Sequence, residues 1–196
     1  RVMRIVKDHF LNTEVFSIDE AFVSIPSGNL NEIQNRFIKL RAKILKWTGI
    51  PVSVGIAPTK TLAKVASKIA KKKDGTFSLF DKEKINNILR ELPISSVWGI
   101  GRRLSKKFIG LGVYNAYQLT LMDHKRIRSL TSVNTLRTAI ELTGTMCIDI
   151  DSQPSSKKQI TTSRAFGKTI TNIDLLEEAI SVYISRAAEK LRYQNS

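Results

Sequence analysis

The segment PVSVGIAPTKTLAKVASKIAKK, residues 51–72, contains a strand pattern followed directly by a helix pattern. Apolar and β-branched side chains over residues 50–57 favour a strand. Thr59 then stands where a helix N-cap is expected, and helical periodicity continues to about Lys72. The periodicity gives this helix one basic face, Lys60, Lys64, Lys68 and Lys71, and one apolar face, Leu62, Val65, Ala66 and Ile69.

The basic face has two interpretations. Many helices expose lysines to solvent, and that is the simpler one. However, no acidic residue stands four positions after any of these lysines, so they cannot pair along the helix. Four aligned lysines without internal partners therefore favour a phosphate-rich ligand, such as a nucleoside triphosphate.

The segment VFSIDEAFVSI, residues 15–25, places two adjacent carboxylates, Asp19 and Glu20, inside a strand-like apolar run. Close carboxylates repel each other, so without a cation one of them tends to stay protonated. Mg²⁺ prefers oxygen ligands and usually takes one or two carboxylates, and paired ions about 3.5–4 Å apart promote phosphoryl transfer. An exposed hairpin turn is the alternative, and spacing alone favours it. The lysine helix, which we expect on the same sheet, shifts the balance toward a metal site.

The segment SSVWGIGRRLSKKFIGLGV, residues 95–113, has the pattern of a helix-hairpin-helix. Gly99 and Gly101 permit a tight turn with close backbone approach. Free N–H groups at the start of the following helix bind phosphate without contacting bases. Arg102, Arg103, Lys106 and Lys107 add attraction to DNA that is independent of sequence. The alternative is a turn between helices with no ligand.

The remaining patterns divide the chain into four parts. Helices are expected over 2–10 and 30–47, the second ended by Gly49, and strands over 14–25 and 74–80. The order of strands and helices up to Pro93 predicts a sheet with helices on one face. Residues 94–146 carry short helical patterns only, and 148–158 are polar, as in a linker. Residues 159–170 have strand propensity, and an amphipathic helix follows over 174–191 with Asp174 as its cap.

The composition indicates a polyanionic partner. The 196 residues include 32 Lys plus Arg and 17 Asp plus Glu, a formal charge of +15. Nucleic acid or an anionic membrane surface fits such an excess. No apolar run approaches the roughly 20 residues that a membrane span needs, and we see no signal peptide.

Single cysteine and histidine residues carry little functional signal. Cys147 is the only cysteine, which excludes an internal disulfide framework and fits a reducing cytosol. We expect Cys147 to be a small core residue. His9 and His124 have no acid or cysteine at ligand spacing and are expected to be structural or surface residues. Trp47 and Trp98 are expected in the core.

Taken in order, these segments resemble the Y-family DNA polymerases, which copy past damaged template. SIDEAF resembles a catalytic motif of the family, residues 51–72 resemble the palm strand and helix that follow it, and VWGIGRRLSKKFIGLG resembles the thumb hairpin. SRAFG, residues 163–167, resembles the first strand of the little finger domain. Trp98, GRRLSKK and SRAFG are closer to the UmuC branch, which supplies the catalytic subunit of bacterial DNA polymerase V, than to the polymerase IV branch.

The resemblance implies an α+β fold in three parts. Residues 1–93 would form part of a palm with a ferredoxin-like sheet and helices on one face. Residues 94–147 would form an all-α thumb with the helix-hairpin-helix, and 148–158 a linker. Residues 159–196 would begin an α+β little finger.

The resemblance also implies roles for individual residues. It assigns the binding of two Mg²⁺ ions to Asp19 and Glu20. It assigns the binding of the incoming triphosphate to Lys71, with Lys72 as the alternative, and the lysine face adds Lys64 as a second nucleotide-binding residue. Ser17 belongs to the motif without being a ligand. The expected DNA contacts are Gly99, Gly101, Arg102, Arg103 and Lys106 in the thumb, and Ser163 and Arg164 in the little finger.

The function implied is metal-dependent addition of deoxynucleotides to a primer 3′ end during DNA repair and the SOS response. Primer-template DNA and a deoxynucleoside triphosphate are the expected partners, with the UmuD′ dimer, RecA and the sliding clamp as candidates at the bacterial nucleoid. A further metal-binding Asp and the fingers domain of the family have no match, so we expect a central fragment that is inactive alone. A non-catalytic DNA-binding module and a nucleotide cyclase are the competing hypotheses.

Overall fold

The computed structural model of the protein describes residues 1–151 and 159–193. The chain divides into two compact units, Arg1–Ser152 and Gln153–Ser196. Residues 152–158 of the predicted linker and 194–196 of the predicted little finger lie outside the described residues. The elements of the first unit are α1 Val2–His9, β1 Thr13–Val15, β2 Ala21–Val23, α2 Leu30–Thr48, β3 Val54–Ile56, α3 Lys60–Ala70, β4 Thr76–Ser78, α4 Lys82–Glu91, a 3-10 helix Ile94–Ser96, α5 Arg102–Gly110, α6 Ala116–Thr120, α7 His124–Leu130 and α8 Val133–Leu142.

The fold belongs to the α+β class, as the sequence predicts, but the strands form two separate pairs instead of one sheet. β1 and β2 are antiparallel, with Thr13 opposite Val23, and β3 and β4 are parallel, with Val54 opposite Thr76. Each strand has three residues. Strand propensity is local, whereas the choice of neighbours across a sheet depends on distant contacts, so the pattern could not fix this arrangement.

The unit β3–α3–β4 holds the lysine helix against its sheet. Thr59 caps α3, as predicted, because its hydroxyl accepts a hydrogen bond from the Leu62 N–H at 3.2 Å. Gly55 permits very close packing: a Cβ built there would lie 2.2 Å from both the Ala63 oxygen and the Ser67 nitrogen. The helix backbone therefore lies directly on β3, and its orientation is fixed by main-chain contact.

Two clusters of buried side chains form the core of the first unit. The smaller cluster joins α1 and α2 to β3 through Ile5, Phe10, Phe37, Leu40, Ile44 and Ile56. The larger cluster begins with Leu62, Val65 and Ala66 on the predicted apolar face of α3 and extends to Phe108 in α5 and Leu142 in α8. One core thus continues across the boundary at Pro93 that the sequence suggested.

The second unit is described from residue 159 and contains α9, Ile173–Tyr193. The predicted strand over 159–170 is wrong: this stretch carries no assigned strand. Strand propensity needs a paired neighbour to become a strand, and no neighbour pairs with it among the described residues. The predicted cap is also corrected, because the Asn172 side chain accepts a hydrogen bond from the Asp174 N–H at 2.8 Å.

We expect Gly55→Ala to destabilise the protein by about 1–3 kcal/mol, because the new methyl group would meet helix backbone that cannot rotate away. Urea unfolding followed by circular dichroism measures the change. Gly110→Ala is the matched control, since a Cβ at Gly110 meets nothing within 4 Å. Equal stability of the two variants would contradict the close contact between α3 and β3.

Candidate active site

A tight turn between β1 and β2 presents the two adjacent carboxylates. The N–H groups of Phe16 and Ser17 donate to the Glu20 carbonyl at 2.9 and 3.1 Å, which closes the turn. Asp19 is exposed, and Glu20 is half-buried. The chain leaves its regular strand geometry here, so the side-chain alternation that would separate adjacent residues no longer applies.

Asp19 is held in its charged form. The Ser17 hydroxyl donates a 2.6 Å hydrogen bond to the Asp19 carboxylate, and this bond is the main reason that the pKa of Asp19 lies below its usual value. The nearby charges of Lys64 and Lys71 lower the pKa further. Ser17 therefore keeps an ionised oxygen donor in place, a function that the sequence motif alone did not reveal.

Lys60, at the start of the basic face, is a structural residue. Its side chain is 7% exposed and forms an ion pair with Glu14 of β1. The same ammonium donates to the Asp149 carbonyl and lies 5.2 Å from the centre of the Phe22 ring. The sequence pattern excluded only partners along α3 itself, and the partner of Lys60 lies in a different element 46 residues away.

Lys64, one turn further along α3, pairs with Glu20. Their side chains are 26% and 39% exposed, so the pair is only partly removed from water. The side chains of Lys68 and Lys71 are exposed, and neither forms a hydrogen bond or ion pair with any residue in the described ranges. Glu20 lines one cleft of about 330 Å³ together with Lys64, Val65, Ser67, Lys68, Lys71, Leu92, Ser96 and Trp98.

This cleft brings together most of the predicted catalytic and nucleotide-binding residues. Lys71 lines it, whereas its sequence alternative Lys72 is not part of the described lining. Asp19 is not among the residues that line the cleft, but it adjoins Glu20 in the chain, and the charges of Lys64 and Lys71 lower the pKa of its carboxyl group. The result is an acidic hairpin facing a basic helix, an arrangement suited to a metal-bound polyphosphate.

Three aromatic rings join the acidic turn to the thumb segment. Phe16, Phe22 and Trp98 contact one another with centroid separations of 5.3–5.8 Å. Trp98 is half-buried in this cluster, close to its predicted place in the core. Trp47 does not lie in the core as predicted. It is 55% exposed, and the Lys43 ammonium lies 4.5 Å from the centre of its ring. A tryptophan near a helix end satisfies the same sequence pattern whether or not a core covers it.

The glycine segment after Trp98 forms a tight turn that leads directly into α5. Gly99 has a φ of +81°, a conformation that favours glycine, and Gly101 is the N-cap of α5 without a side-chain capping bond. A Cβ at Gly101 would meet nothing within 4 Å, so the start of the helix is open to approach. The predicted basic contacts on this helix, Arg102, Arg103 and Lys106, are all exposed.

Ser163 and Arg164, the other predicted DNA contacts, lie in the second unit. Both are exposed in the irregular stretch before α9. Arg164 lines a groove of about 400 Å³ together with residues of α9.

Glu141 is a structural residue that sequence reasoning missed. It is fully buried, and its carboxylate accepts hydrogen bonds from the Thr61 N–H at 2.9 Å, the Thr61 hydroxyl at 2.8 Å and the Ile148 N–H at 3.1 Å. Its carbonyl also accepts a bond from the Thr59 hydroxyl. A negative charge at the N-terminus of α3 is favourable to the helix dipole. The one sequence signal was an acid inside the apolar pattern of α8.

Cys147 was predicted to lie in the core, but it is only half-buried. Its thiol donates to the Arg137 carbonyl at 3.3 Å, and burial raises its pKa. His9 is structural, because its Nδ1 bonds to the Ile5 carbonyl at 2.8 Å, and His124 is a surface residue at the start of α7.

The donor set of the acidic turn fits a hard divalent cation but does not complete its shell. Asp19 and Glu20 supply carboxylate oxygens, the ligand type that Mg²⁺ prefers. Over residues 1–151 and 159–193, no group of three or more His, Cys, Asp or Glu side chains is placed to hold a metal ion. Water, substrate phosphate or another carboxylate would supply the other ligands.

None of the described helices is long and apolar enough to cross a membrane.

Replacing Glu141 tests how α3 is anchored. We expect Glu141→Gln to lower the free energy of unfolding by about 2–3 kcal/mol, because an amide NH₂ would face backbone donors that the carboxylate now satisfies. Chemical denaturation measures the loss. Glu91→Gln at the exposed end of α4 is the control and should change stability by less than about 0.5 kcal/mol. If Glu141→Gln left the free energy of unfolding unchanged, the carboxylate would not anchor the helix.

Three family profiles match the chain. Residues 1–68 match the impB/mucB/samB family, 82–113 match the IMS family HHH motif, and 157–196 match the impB/mucB/samB family C-terminal domain. The second profile covers the segment that contains Gly99, Gly101 and α5. The two impB/mucB/samB profiles together match more than half of the chain.

Relatives and solved structures agree with these profiles. Protein UmuC of Salmonella typhimurium is 38% identical over 98% of this chain and 47% of its own length. Protein ImpB of Salmonella typhimurium is 40% identical with the same coverage. The chain thus spans about half the length of these relatives. The structure described as a Y-family DNA polymerase chimera, Dbh-Dpo4(243-245)-Dbh, matches 97% of this chain and 55% of its own, with a TM-score of 0.73 at 22% identity, which supports the fold.

The similarity to UmuC confirms the branch that Trp98, GRRLSKK and SRAFG indicated. The profiles cover both the acidic turn and the glycine hairpin. The chain therefore belongs to the impB/mucB/samB family and has the fold of the Y-family DNA polymerases.

Proposed function

We propose that this chain carries the catalytic acids and the thumb of a lesion-bypass DNA polymerase, which adds deoxynucleotides to a primer 3′ end. The observation that carries the proposal is the cleft where Glu20 faces Lys64, Lys68 and Lys71. A module that only bound DNA would need the basic hairpin but would have no use for ionised acids opposite a lysine helix. In this assignment residues 1–93 are palm, 94–147 thumb and 159–196 part of a little finger, joined by the linker 148–158.

Asp19 and Glu20 would hold two Mg²⁺ ions. Bound there, the ions would acidify the primer hydroxyl and neutralise the charge of the departing pyrophosphate. Ser17 would orient the Asp19 carboxylate through its hydrogen bond. The exposed Lys71 would bind the triphosphate without first losing another partner, and Lys64 would join it.

The glycine hairpin would bind the DNA backbone. The N–H groups at the open start of α5 suit a phosphate oxygen, and Arg102, Arg103 and Lys106 add positive charge around it. Ser163 and Arg164 would contact the template backbone. Phosphate contacts position a duplex without selecting its sequence, which suits an enzyme that must copy any template. A cytoplasmic role at the nucleoid during the SOS response, with UmuD′, RecA and the sliding clamp as partners, belongs to the same proposal.

Replacing Asp19 tests the catalytic assignment. In the full-length protein, Asp19→Ala should reduce primer extension by about a hundredfold to a thousandfold or more, because a ligand that stabilises the developing charge is lost. DNA affinity should change little. Gel-based extension in Mg²⁺ measures the rate, and Asp8→Ala on the exposed face of α1 is the control. Extension at the normal rate by Asp19→Ala would overturn the catalytic assignment and leave a DNA-binding module.

The salt dependence of DNA binding tests the assignment of the thumb. DNA binding by this chain should weaken steeply with salt, in proportion to the number of phosphates neutralised. Arg102→Ala or Lys106→Ala should weaken binding similarly for all sequences and reduce the salt slope by about one. Fluorescence anisotropy across a salt series measures both. Lys39→Ala, an exposed lysine of α2, should leave the slope unchanged. A flat salt response of the unmodified chain would contradict the DNA-binding assignment.

A further inference from the structure

The lysines of α3 fall into three structural classes that the sequence pattern cannot distinguish. Lys60 is buried and has three contacts, with Glu14, the Asp149 carbonyl and the Phe22 ring. Lys64 is partly exposed and has one partner, Glu20. Lys68 and Lys71 are exposed, and their ammonium groups have no hydrogen-bond or ion-pair partner in the described parts of the chain.

Glu20 is one of two adjacent carboxylates in the turn. It follows Asp19 directly in the chain, and neighbouring carboxylates repel each other when both are charged. One Glu20 oxygen, Oε1, is taken by the Lys64 ammonium. A divalent cation that bound this oxygen would meet the Lys64 charge at close range, where like charges repel strongly. Lys64 and the metal therefore compete for the same atom.

We propose that Lys64 is an exchangeable counter-ion: it neutralises Glu20 when no metal is bound and transfers to the nucleotide phosphates when metal and nucleotide enter the cleft. This inference rests on the proposed function and assigns to Lys64 a role beyond phosphate binding. Exchange is physically accessible because the pair is partly exposed and each side chain has one partner. Lys60, with three contacts and almost no exposure, cannot act in this way.

The exchange gives Lys64 opposite effects on two ligands. Its pairing with Glu20 lowers the affinity of the acidic turn for a divalent cation alone. Its release toward the phosphates raises the affinity for a nucleotide with its metal. Binding of metal without nucleotide is therefore disfavoured, and the site is completed by the two together. A lysine that only attracted phosphate would not produce this opposition.

The experiment uses this chain and two probes, Mn²⁺ alone and dATP with Mg²⁺. Paramagnetic broadening of the Asp19 and Glu20 amide signals reports Mn²⁺ occupancy even at weak affinity, and calorimetry reports dATP binding. For Lys64→Ala we expect about threefold to fivefold tighter Mn²⁺ binding, the upper part of the range for a partly exposed ion pair, and weaker dATP binding by a similar factor. Lys64→Arg keeps the charge and should leave Mn²⁺ affinity near that of the unmodified chain.

Lys68→Ala is the matched control, because it removes one charge from the same face of α3 without releasing Glu20. It should weaken dATP binding and raise Mn²⁺ affinity by less than twofold. Adding Glu20→Gln to Lys64→Ala should abolish the gain in Mn²⁺ affinity. Circular dichroism checks that each variant is folded, and Lys64→Gln provides a second variant of similar length.

The outcomes separate this inference from the proposed function. If Mn²⁺ broadening depends on Asp19 but Lys64→Ala binds Mn²⁺ no more tightly than Lys68→Ala, the exchange is wrong while the metal site stands. If Lys64→Ala lowers the affinity for both Mn²⁺ and dATP, Lys64 supports the site without competing for Glu20, and the exchange is again wrong. If Asp19→Ala does not reduce the broadening of these signals, both the exchange and the metal assignment are overturned.

Discussion

The contact between the acids of the first hairpin and the lysines of α3 is the constraint on which the candidate site depends. Glu14 and Glu20 reach Lys60 and Lys64 across 46 and 44 residues of sequence. Ion pairs that lose water contact contribute little net stability, because desolvation offsets much of the attraction. Their effect here is positional: the two pairs, one turn apart on α3, fix both the place and the direction of the hairpin along the helix.

That positioning works only because α3 is itself held. Gly55 lets the helix backbone lie on β3, and Glu141 accepts hydrogen bonds from its first turn. The apolar face of α3 is part of the larger core, which also contains Phe108 of α5. The helix thus connects the strands, the acidic turn and the thumb segment within one compact unit, and a shift of α3 would alter all three together.

Features set by residues close in sequence could be predicted, whereas features set by contacts between residues far apart in sequence could not. The Thr59 cap, the end of α2 at Gly49 and the two faces of α3 follow from spacing along the chain. The separation of the strands into two pairs and the absence of a strand over 159–170 depend on partners that local propensity does not specify. For the same reason the lysine face was predicted while its acidic partners and the buried Glu141 were missed, since their bonds to α3 span 44–80 residues.

The aromatic cluster connects the acidic turn to the glycine hairpin through ring contacts. Phe16 precedes the turn, Trp98 precedes Gly99, and their rings pack at 5.3 Å. Edge-to-face contacts of this kind add about 0.5–1.5 kcal/mol beyond burial and are sensitive to ring orientation. A displacement of the glycine hairpin would therefore have to repack Trp98 against Phe16 and Phe22. Trp98 also lines the cleft with Glu20 and Lys64. The position at which we propose the thumb to hold a DNA phosphate is in this way coupled, through one tryptophan, to the cleft in which we propose the nucleotide to bind.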